Sequence, residues 1–229
     1  MDKKLRRAAM LPLIFVFAAL MSVAVYAKPV LSSKKLTFYK QIDYDTYTNR
    51  EMVHYDCANT LIVKGVNRRA TVVSKYSSNP AIKIYTVRSG NKLIVYGVQN
   101  EEGLLRSGKY GANIVVRNKN KNYTLRFKIQ VKNSQPRYIA WLKAAGKTYK
   151  AQFAPKNAGL SYINLPVGKP VRISYKTTEG NKKMSLFLQR GETSRQIKGK
   201  VTLQKGDILQ LYYKRKGIRW AECFKVIVR

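Results

Sequence analysis

Histidine, cysteine and acidic residues are scarce in this chain of 229 residues. It has one histidine, two cysteines and 11 acidic residues, against 45 lysines and arginines. A zinc site built from histidine and cysteine needs about three or four ligands at suitable spacing, and His54 with Cys57 and the distant Cys223 cannot supply them. In a strand, His54 and Cys57 would point to opposite faces, so they would not form a nucleophile–base pair. We therefore predict no catalytic residue, no metal site, no cofactor and no enzyme.

Four carboxylates fall within a single segment, at Asp43, Asp45, Glu51 and Asp56. Carboxylates of this kind can hold Ca²⁺, which takes about six to eight oxygen ligands. The segment lacks the loop glycine and the fixed acidic spacing of a calcium loop. We therefore interpret these carboxylates as a local offset to a basic surface.

The N-terminal 27 residues are set apart by charge and hydropathy. Four lysines and arginines within the first seven residues precede an uncharged run, which ends at Ala27 in small residues that a signal peptidase reads. We predict a signal peptide over residues 1–27. A retained membrane anchor is the alternative, because the run is nearly long enough to span a bilayer. In either case the remaining chain would act outside the cytoplasm, secreted or at a bacterial cell surface.

Acidic residues are also scarce in the part that follows. Residues 28–229 contain 41 basic and 10 acidic residues, a net charge of +31 spread over both halves. The lysines alternate with isoleucine, valine, leucine and tyrosine, which indicates folded sheets with basic outer faces rather than a disordered tail. Such a surface attracts polyanions over a Debye length of roughly 8 Å at physiological salt.

Short runs of β-branched and aromatic residues, separated by turns rich in asparagine, glycine and lysine, make up most of the chain. Alternation is clearest in residues 123–131, which predict a half-buried strand. We predict an all-β fold of two immunoglobulin-like β-sandwich domains in tandem after the signal helix, at residues 28–133 and 137–229. The stretch YIAWLKAAGK, residues 138–147, would suit either a strand or a short helix.

The two cysteines leave two possibilities open in an exported chain. A disulfide between Cys57 and Cys223 would close a long loop and stabilise the fold by about 3–5 kcal/mol. We favour two separate, mostly buried thiols, because the cysteines lie in different halves and each adjoins a strand-like run.

A set of motifs recurs in the order and spacing of a known family. The motifs are Leu31–Phe38, Thr60–Gly65, Ser77–Pro80 followed by Ile82, Gly90, Gly97, Gly111–Val116 and Tyr123–Val131. Over about residues 31–132 the chain resembles the bacterial immunoglobulin-like domains of the Big2 type. The resemblance implies a sandwich fold in an exported or surface-attached bacterial protein, and it implies no reaction. The second half shows only a general immunoglobulin-like strand pattern.

This chain departs from the family pattern at two places. Lys75 stands where the family has an aromatic residue before its serine run, and Tyr76 follows one position later. A shift of one residue moves a side chain to the opposite face, so we predict a β-bulge at the corner Ser77–Pro80. The insert at residues 41–56 is also longer than the usual link between the first two strands.

Two clusters of cations are candidate contact sites for a polyanion. One is a predicted hairpin whose tip carries cations and whose legs carry aromatic residues that can stack on sugars or bases. Its residues are Tyr213, Lys214, Arg215, Lys216, Arg219 and Trp220. The other cluster lies at the last turn of the first domain and consists of Arg117, Lys119 and Lys121. An ordinary solvated hairpin with core aromatic residues is the alternative interpretation.

The sequence therefore favours a secreted, non-enzymatic binding or adhesion module for anionic cell-wall polymers or acidic glycans. A structural spacer or assembly subunit of the envelope, in contact with other envelope proteins, is the alternative. Nucleic acid binding has weaker support, because we find no recognition-helix pattern and no RNA-binding motif. A membrane contact is expected only through the N-terminal segment if it is not cleaved. An enzyme with an unfamiliar site would need several acids converging in a pocket.

Overall fold

The computed structural model describes residues 28–100, 105–215 and 221–229. Over these ranges the chain forms β-strands and two short 3-10 helices, Ala151–Phe153 and Pro155–Asn157. The strands are β1 (Val30–Leu31), β2 (Lys35–Asp45), β3 (Arg50–Cys57), β4 (Leu61–Lys64), β5 (Thr71–Ser77), β6 (Ile82–Ser89), β7 (Lys92–Gln99), β8 (Gly108–Asn118), β9 (Lys121–Lys132), β10 (Ile139–Ala144), β11 (Lys147–Tyr149), β12 (Leu160–Ile163), β13 (Pro170–Thr177), β14 (Lys182–Arg190), β15 (Thr193–Gln196), β16 (Lys200–Thr202), β17 (Ile208–Lys214) and β18 (Glu222–Val228). The predicted signal peptide lies outside the described residues. Within them, no helix has the length and apolar character needed to cross a membrane.

Two sheets enclose the core of the first half, residues 28–132. One sheet has the strand order β1-β4-β7-β6, and the other has the order β3-β2-β9-β8-β5. Strand β9 alternates as predicted: Leu125 and Phe127 are buried in the core, whereas Arg126 and Lys128 are exposed. This period of two places the apolar side of each strand inside the sandwich and leaves the basic side in water.

Two further sheets enclose a separate core in the second half, residues 137–229. Their strand orders are β11-β10-β13-β16 and β12-β18-β17-β14-β15. Leu142, Leu203, Leu209 and Leu211 are completely buried between them. The predicted all-β architecture of packed, sandwich-like sheets is confirmed. The division into domains at residues 133–136 stays a prediction.

The stretch that suited either helix or strand is a hairpin, so the helix alternative is wrong. Strand β10 runs to Ala144, and a two-residue turn leads into β11. Ala145 and Gly146 have φ of 47° and 79° in that turn. Positive φ at both positions is typical of type I′ turns, which join hairpin strands in two residues because their backbone twist matches the twist of the strands. Pairing of β10 with β13 therefore overrides the helix preference of the alanines.

The long insert of the first half forms a docking hairpin, which we define as residues 40–55 of β2 and β3. It extends past the last residue of β2 that pairs with β9 and lies against the second half. Ile42 and Tyr44 pack on Leu160, Ile208 and Ile227, which line the outer face of the sheet β12-β18-β17. This apolar cluster attaches the two halves to each other.

Polar contacts reinforce the docking hairpin. The Ile42 N–H donates to the carbonyl of Ala158 at 2.7 Å, in the position that a further strand would occupy beside β2. The ammonium of Lys225 lies 2.6 Å from the carboxylate of Asp43. The hydroxyl of Tyr162 donates to the carboxylate of Glu51 at 2.8 Å. Two of the four carboxylates of the insert therefore bind the second half.

The other acidic residues of the insert have local partners. The hydroxyl of Thr48 and the N–H of Tyr47 donate to Asp45, and these hydrogen bonds hold the pKa of Asp45 below its ordinary value. Asp56 lies 3.5 Å from His54. In the described ranges, histidine, cysteine, aspartate and glutamate form no group of three or more that would hold a metal ion.

The predicted β-bulge lies near the corner Ser77–Pro80 but not in it. The register between β5 and β8 shifts between Val72 and Ser74, so the irregularity precedes the corner. At the corner itself, the side chain of Asn79 accepts a hydrogen bond from the Ala81 N–H at 2.9 Å. Such side-chain bonds form tight turns, which agrees with a strand-to-strand corner rather than a site.

Candidate anion-binding surface

The aromatic leg of the predicted contact hairpin belongs to the core. Tyr213 has 1% of its surface exposed, and its ring lies 5.4 Å from the ring of Tyr138. Burial raises the pKa of Tyr213, so its hydroxyl stays neutral. Alternation along β17 places Tyr213 on the same side as Leu209 and Leu211. Tyr213 therefore offers no face on which a sugar ring or base can stack.

Arg215 has partners within the protein. Its guanidinium lies 2.6 Å from the carboxylate of Glu222 and donates to the hydroxyl of Tyr138 at 3.2 Å. Burial alone would lower the pKa of Arg215, but Glu222 outweighs that effect and raises it. Lys214, at the end of β17, is half-buried. The remaining predicted hairpin residues, Lys216, Arg219 and Trp220, lie outside the described residues.

The second predicted cluster comes together at the turn between β8 and β9. Asn118 pairs with Lys121 across a two-residue turn, in which Lys119 and Asn120 have φ of 50° and 60°. Arg117 and Lys121 are exposed beside that turn. The structure therefore brings Arg117, Lys119 and Lys121 to one hairpin tip, as predicted.

A larger basic surface lies on the outer face of the sheet β11-β10-β13-β16. Trp141 stands directly opposite Lys176 on β13, and Arg172 stands opposite Lys200 on β16. Lys143 follows Trp141 on the same side of β10, opposite a serine of β13. The four cations are exposed and Trp141 is half-buried. We call these five residues, Trp141, Lys143, Arg172, Lys176 and Lys200, the tryptophan face.

The strands of the tryptophan face carry charge of one sign only. None of the strands β10, β11, β13 and β16 contains an aspartate or glutamate. The docking hairpin packs on the outer face of the sheet β12-β18-β17-β14-β15, which is the second sheet of this half. The thickness of the sandwich therefore separates the docking hairpin from the tryptophan face. The strands of the tryptophan face therefore place no carboxylate among these cations, and the docking hairpin does not cover them.

Sequence reasoning missed the tryptophan face, although part of its signal was present. Arg172 and Lys176 alternate with buried residues of β13, and that pattern predicts one exposed basic side. Their alignment with Trp141 and Lys200 depends on which strands pair, and pairing is not visible in the strand pattern. Retaining a helix as an alternative for residues 138–147 also hid the position of Trp141.

A cleft of about 850 Å³ lies between the two halves. The first half lines it with Tyr39, Tyr55 and Tyr96, and the second half lines it with Tyr138, Arg215 and Cys223. Both halves also place charged side chains along the cleft, but these form pairs with each other, as the Arg215 and Lys225 contacts show. The cleft is therefore lined by aromatic side chains, and its charged side chains are held in ion pairs.

The titratable side chains of the cleft are poorly suited to nucleophilic chemistry. His54, Cys57 and Cys223 all line it, and neither thiol forms a disulfide. Burial raises the pKa of Cys57, and it raises the pKa of Cys223 to about 12. Both thiols are consequently protonated near neutral pH, while the thiolate is the reactive form. Asp56 accepts a hydrogen bond from His54 and raises its pKa.

Comparison with known proteins assigns no family to this chain. No protein-family model and no curated protein matches the sequence. Among solved structures, the chain is similar to the YadV chaperone, with 7% sequence identity and a TM-score of 0.31. That match covers 87% of this chain and 98% of the chaperone chain.

Proposed function

We propose that this chain is a non-enzymatic binding module that contacts anionic cell-wall polymers or acidic glycans outside the cytoplasm. The observation that carries the proposal is the tryptophan face, where four exposed cations share one side of a sheet with a tryptophan and the four strands contain no acidic residue. The hairpin tip at Arg117, Lys119 and Lys121 is a second, smaller contact in the same proposal.

The arrangement of the cations suits an extended polymer. Strands in a sheet lie about 4.8 Å apart, and residues on one side of a strand repeat about every 6.7 Å. Arg172 and Lys176 on one strand are therefore separated by about 13 Å, with Lys143 and Lys200 on the strands to either side. The face would contact several charges of one polymer molecule at once, so that individually weak ion pairs add up.

Trp141 favours a glycan over a bare phosphate chain. It stands directly opposite Lys176, and residues in that relation on antiparallel strands have Cβ atoms about 5 Å apart. An indole presents a large apolar face against which the ring of a sugar can pack, while the neighbouring ammonium pairs with its carboxylate or sulfate. A polymer that has both sugar rings and anionic groups would contact the tryptophan as well as the cations.

A binding measurement on immobilised polymers tests this proposal. The triple variant K143E/R172E/K176E should bind polygalacturonate at least about tenfold more weakly than wild type at low salt. The matched control K156E/R195E/K205E has the same net charge, because it alters three exposed cations away from the face. It should keep at least half of the wild-type affinity, and neutral dextran should bind neither variant.

Three outcomes would count against the proposal. Equal loss in both triple variants would mean that net charge alone controls binding, and the tryptophan face would lose its role. Absence of saturable binding to polygalacturonate, polyphosphate and heparin would favour the alternative of a structural spacer. Retention on DNA that falls steeply with salt, without retention on acidic glycans, would favour nucleic acid binding.

Trp141 is tested separately. Trp141→Ala should weaken binding of polygalacturonate but leave polyphosphate binding within about twofold, because polyphosphate has no ring to pack on the indole. Trp141→Phe should restore part of the glycan affinity. Parallel loss for both polymers would remove the distinction between them.

A further inference from the structure

The first half has an outer sheet face of the opposite character to the tryptophan face. On β4, β7 and β6, cross-strand pairing aligns Ile62 with Ile94 and Ile94 with Val87. The same side of the sheet carries three further residues, which continue the apolar row along β6 and β7. We call the complete set the apolar face, and its members are Ile62, Tyr85, Val87, Ile94, Tyr96 and Val98.

Much of the apolar face is open to solvent. Tyr85, Val87 and Val98 are 39%, 48% and 44% exposed. Tyr85 and Tyr96 stack at a centroid distance of 5.7 Å and so present a paired aromatic surface. Single exposed apolar residues are ordinary, but a contiguous set on three neighbouring strands is typical of a protein interaction site.

The apolar face continues into the cleft between the halves. Val87, Ile94, Tyr96 and Val98 belong to the apolar face and also line that cleft. A partner seated on the sheet would therefore also reach the concave aromatic surface beside it. Concave, mostly apolar surfaces of this kind give a partner more buried contact than a flat face.

Lysines on the same side of the sheet define the charge of the partner. Lys64 and Lys92 continue β4 and β7 past Ile62 and Ile94 at one end of the apolar face, and Lys83 lies opposite Val98 at the other. The strands β1, β4, β6 and β7 contain no acidic residue. A second copy of this chain, with a net charge of +34, would bring lysine against lysine and be repelled.

We propose that the apolar face docks a separate acidic protein, whose contact surface has an apolar centre and carboxylates at its edge. The centre would pack on Val87, Tyr85 and Val98, and the carboxylates would pair with Lys64, Lys83 and Lys92. This site is distinct from the tryptophan face, which lies on a sheet of the other half. The chain would then connect a protein partner at one half to a polymer at the other.

A selection from a random peptide phage library reveals the chemistry that the face prefers. The bait is the wild-type chain from residue 28 onward, and the V87T/V98T double variant serves for counter-selection. Threonine keeps the β-branched shape and the charge, so this variant removes only apolar contact. We expect enriched peptides that combine aromatic or aliphatic residues with glutamate and aspartate. Enrichment of basic or uncharged peptides, or no enrichment over the counter-selected pool, would overturn the proposal.

The affinity of one enriched peptide then locates the contact. V87T/V98T should weaken it about tenfold or more, because two buried methyl groups are replaced by hydroxyls. The control V73T makes the same chemical change at a residue that is 48% exposed on β5 of the other sheet, and it should change affinity less than twofold. Equal effects in the two variants would refute docking at this face.

Two further measurements separate docking at the apolar face from polymer binding and from self-association. Reversal of Lys64 and Lys92 to glutamate should abolish binding of the acidic peptide but keep at least half of the wild-type affinity for polygalacturonate, so failure of either proposal can be recognised. Sedimentation equilibrium tests self-association. A dimer that V87T/V98T disrupts would show that a second copy, and not an acidic partner, covers the apolar face.

Discussion

The attachment of the two halves through the docking hairpin makes a quantitative prediction for Ile208. This side chain is 3% exposed and lies on the outer face of its sheet, where it packs with Leu160 and Ile227 beneath Ile42 and Tyr44. Ile208→Ala removes three carbon atoms from that cluster and leaves a gap that the rigid sheet cannot close. Substitutions of this type cost about 2–4 kcal/mol.

The loss should fall on the attachment and not on the core of either half. Ile208 belongs to the cluster under the docking hairpin, whereas its neighbour Leu209 belongs to the core of the second half. We expect wild type to unfold in one cooperative transition, because the apolar cluster and the contacts of Asp43 and Glu51 couple the halves. In Ile208→Ala the coupling would fall by about 2–4 kcal/mol and the halves would unfold separately.

Urea denaturation with two probes distinguishes these cases. Both tryptophans lie in the second half, so their fluorescence reports on that half alone, while far-UV circular dichroism reports on both. The two curves should coincide for wild type and separate for Ile208→Ala. Val167→Ala, at a residue that is 47% exposed, is the control and should change the free energy of unfolding by less than about 0.5 kcal/mol. Separate curves in wild type would refute the coupling.

Two further predictions concern charged pairs. The carboxylate of Asp207, 2% exposed, accepts two hydrogen bonds from Arg190 at 2.8 Å each. Arg190→Met should leave this buried charge without its ion partner and lower the urea midpoint of unfolding, whereas an unchanged midpoint would contradict the expectation. His54 has a folded-state pKa raised by its hydrogen bond to Asp56, so the small stability that it adds is complete below its ordinary pKa and is lost as pH rises through the raised value. NMR titration of the single histidine should show that Asp56→Asn lowers its pKa, and an unchanged pKa would exclude Asp56 as the cause.

The strand pattern of the first half could be predicted because each strand carries its own evidence. Alternation within β9 assigns Leu125 and Phe127 to the core and Arg126 and Lys128 to solvent without knowledge of any neighbour. The same rule would also have corrected the interpretation of Tyr213, which continues the buried series of Leu209 and Leu211. Proximity in sequence to a run of cations favoured exposure of Tyr213, but the alternation along the strand determines where its ring lies.

The docking hairpin and the tryptophan face could not be predicted from local patterns. In the sequence, Ile42 and Tyr44 resemble the residues of any strand that face the core of their own domain. Only the fold shows that they pack on the second half. Asp43 and Lys225 are separated by most of the chain, so no local rule connects them. Trp141 and Lys176 likewise become neighbours through strand order, which depends on the packing of whole sheets.

The contact between Lys225 and the docking hairpin has a consequence for the order in which the chain folds. The ammonium of Lys225 also donates to the carbonyl of Tyr44 at 3.2 Å, across 181 positions of sequence. A chain that emerges from a ribosome N-terminus first would present Ile42 and Tyr44 long before β18 has been synthesised. Until that strand arrives, the hairpin is an uncovered apolar edge, and such edges bind other chains. Slow synthesis would therefore lengthen the interval in which the uncovered hairpin can bind other chains. A charged substitution at Tyr44 would reduce that binding but would also weaken the attachment of the two halves.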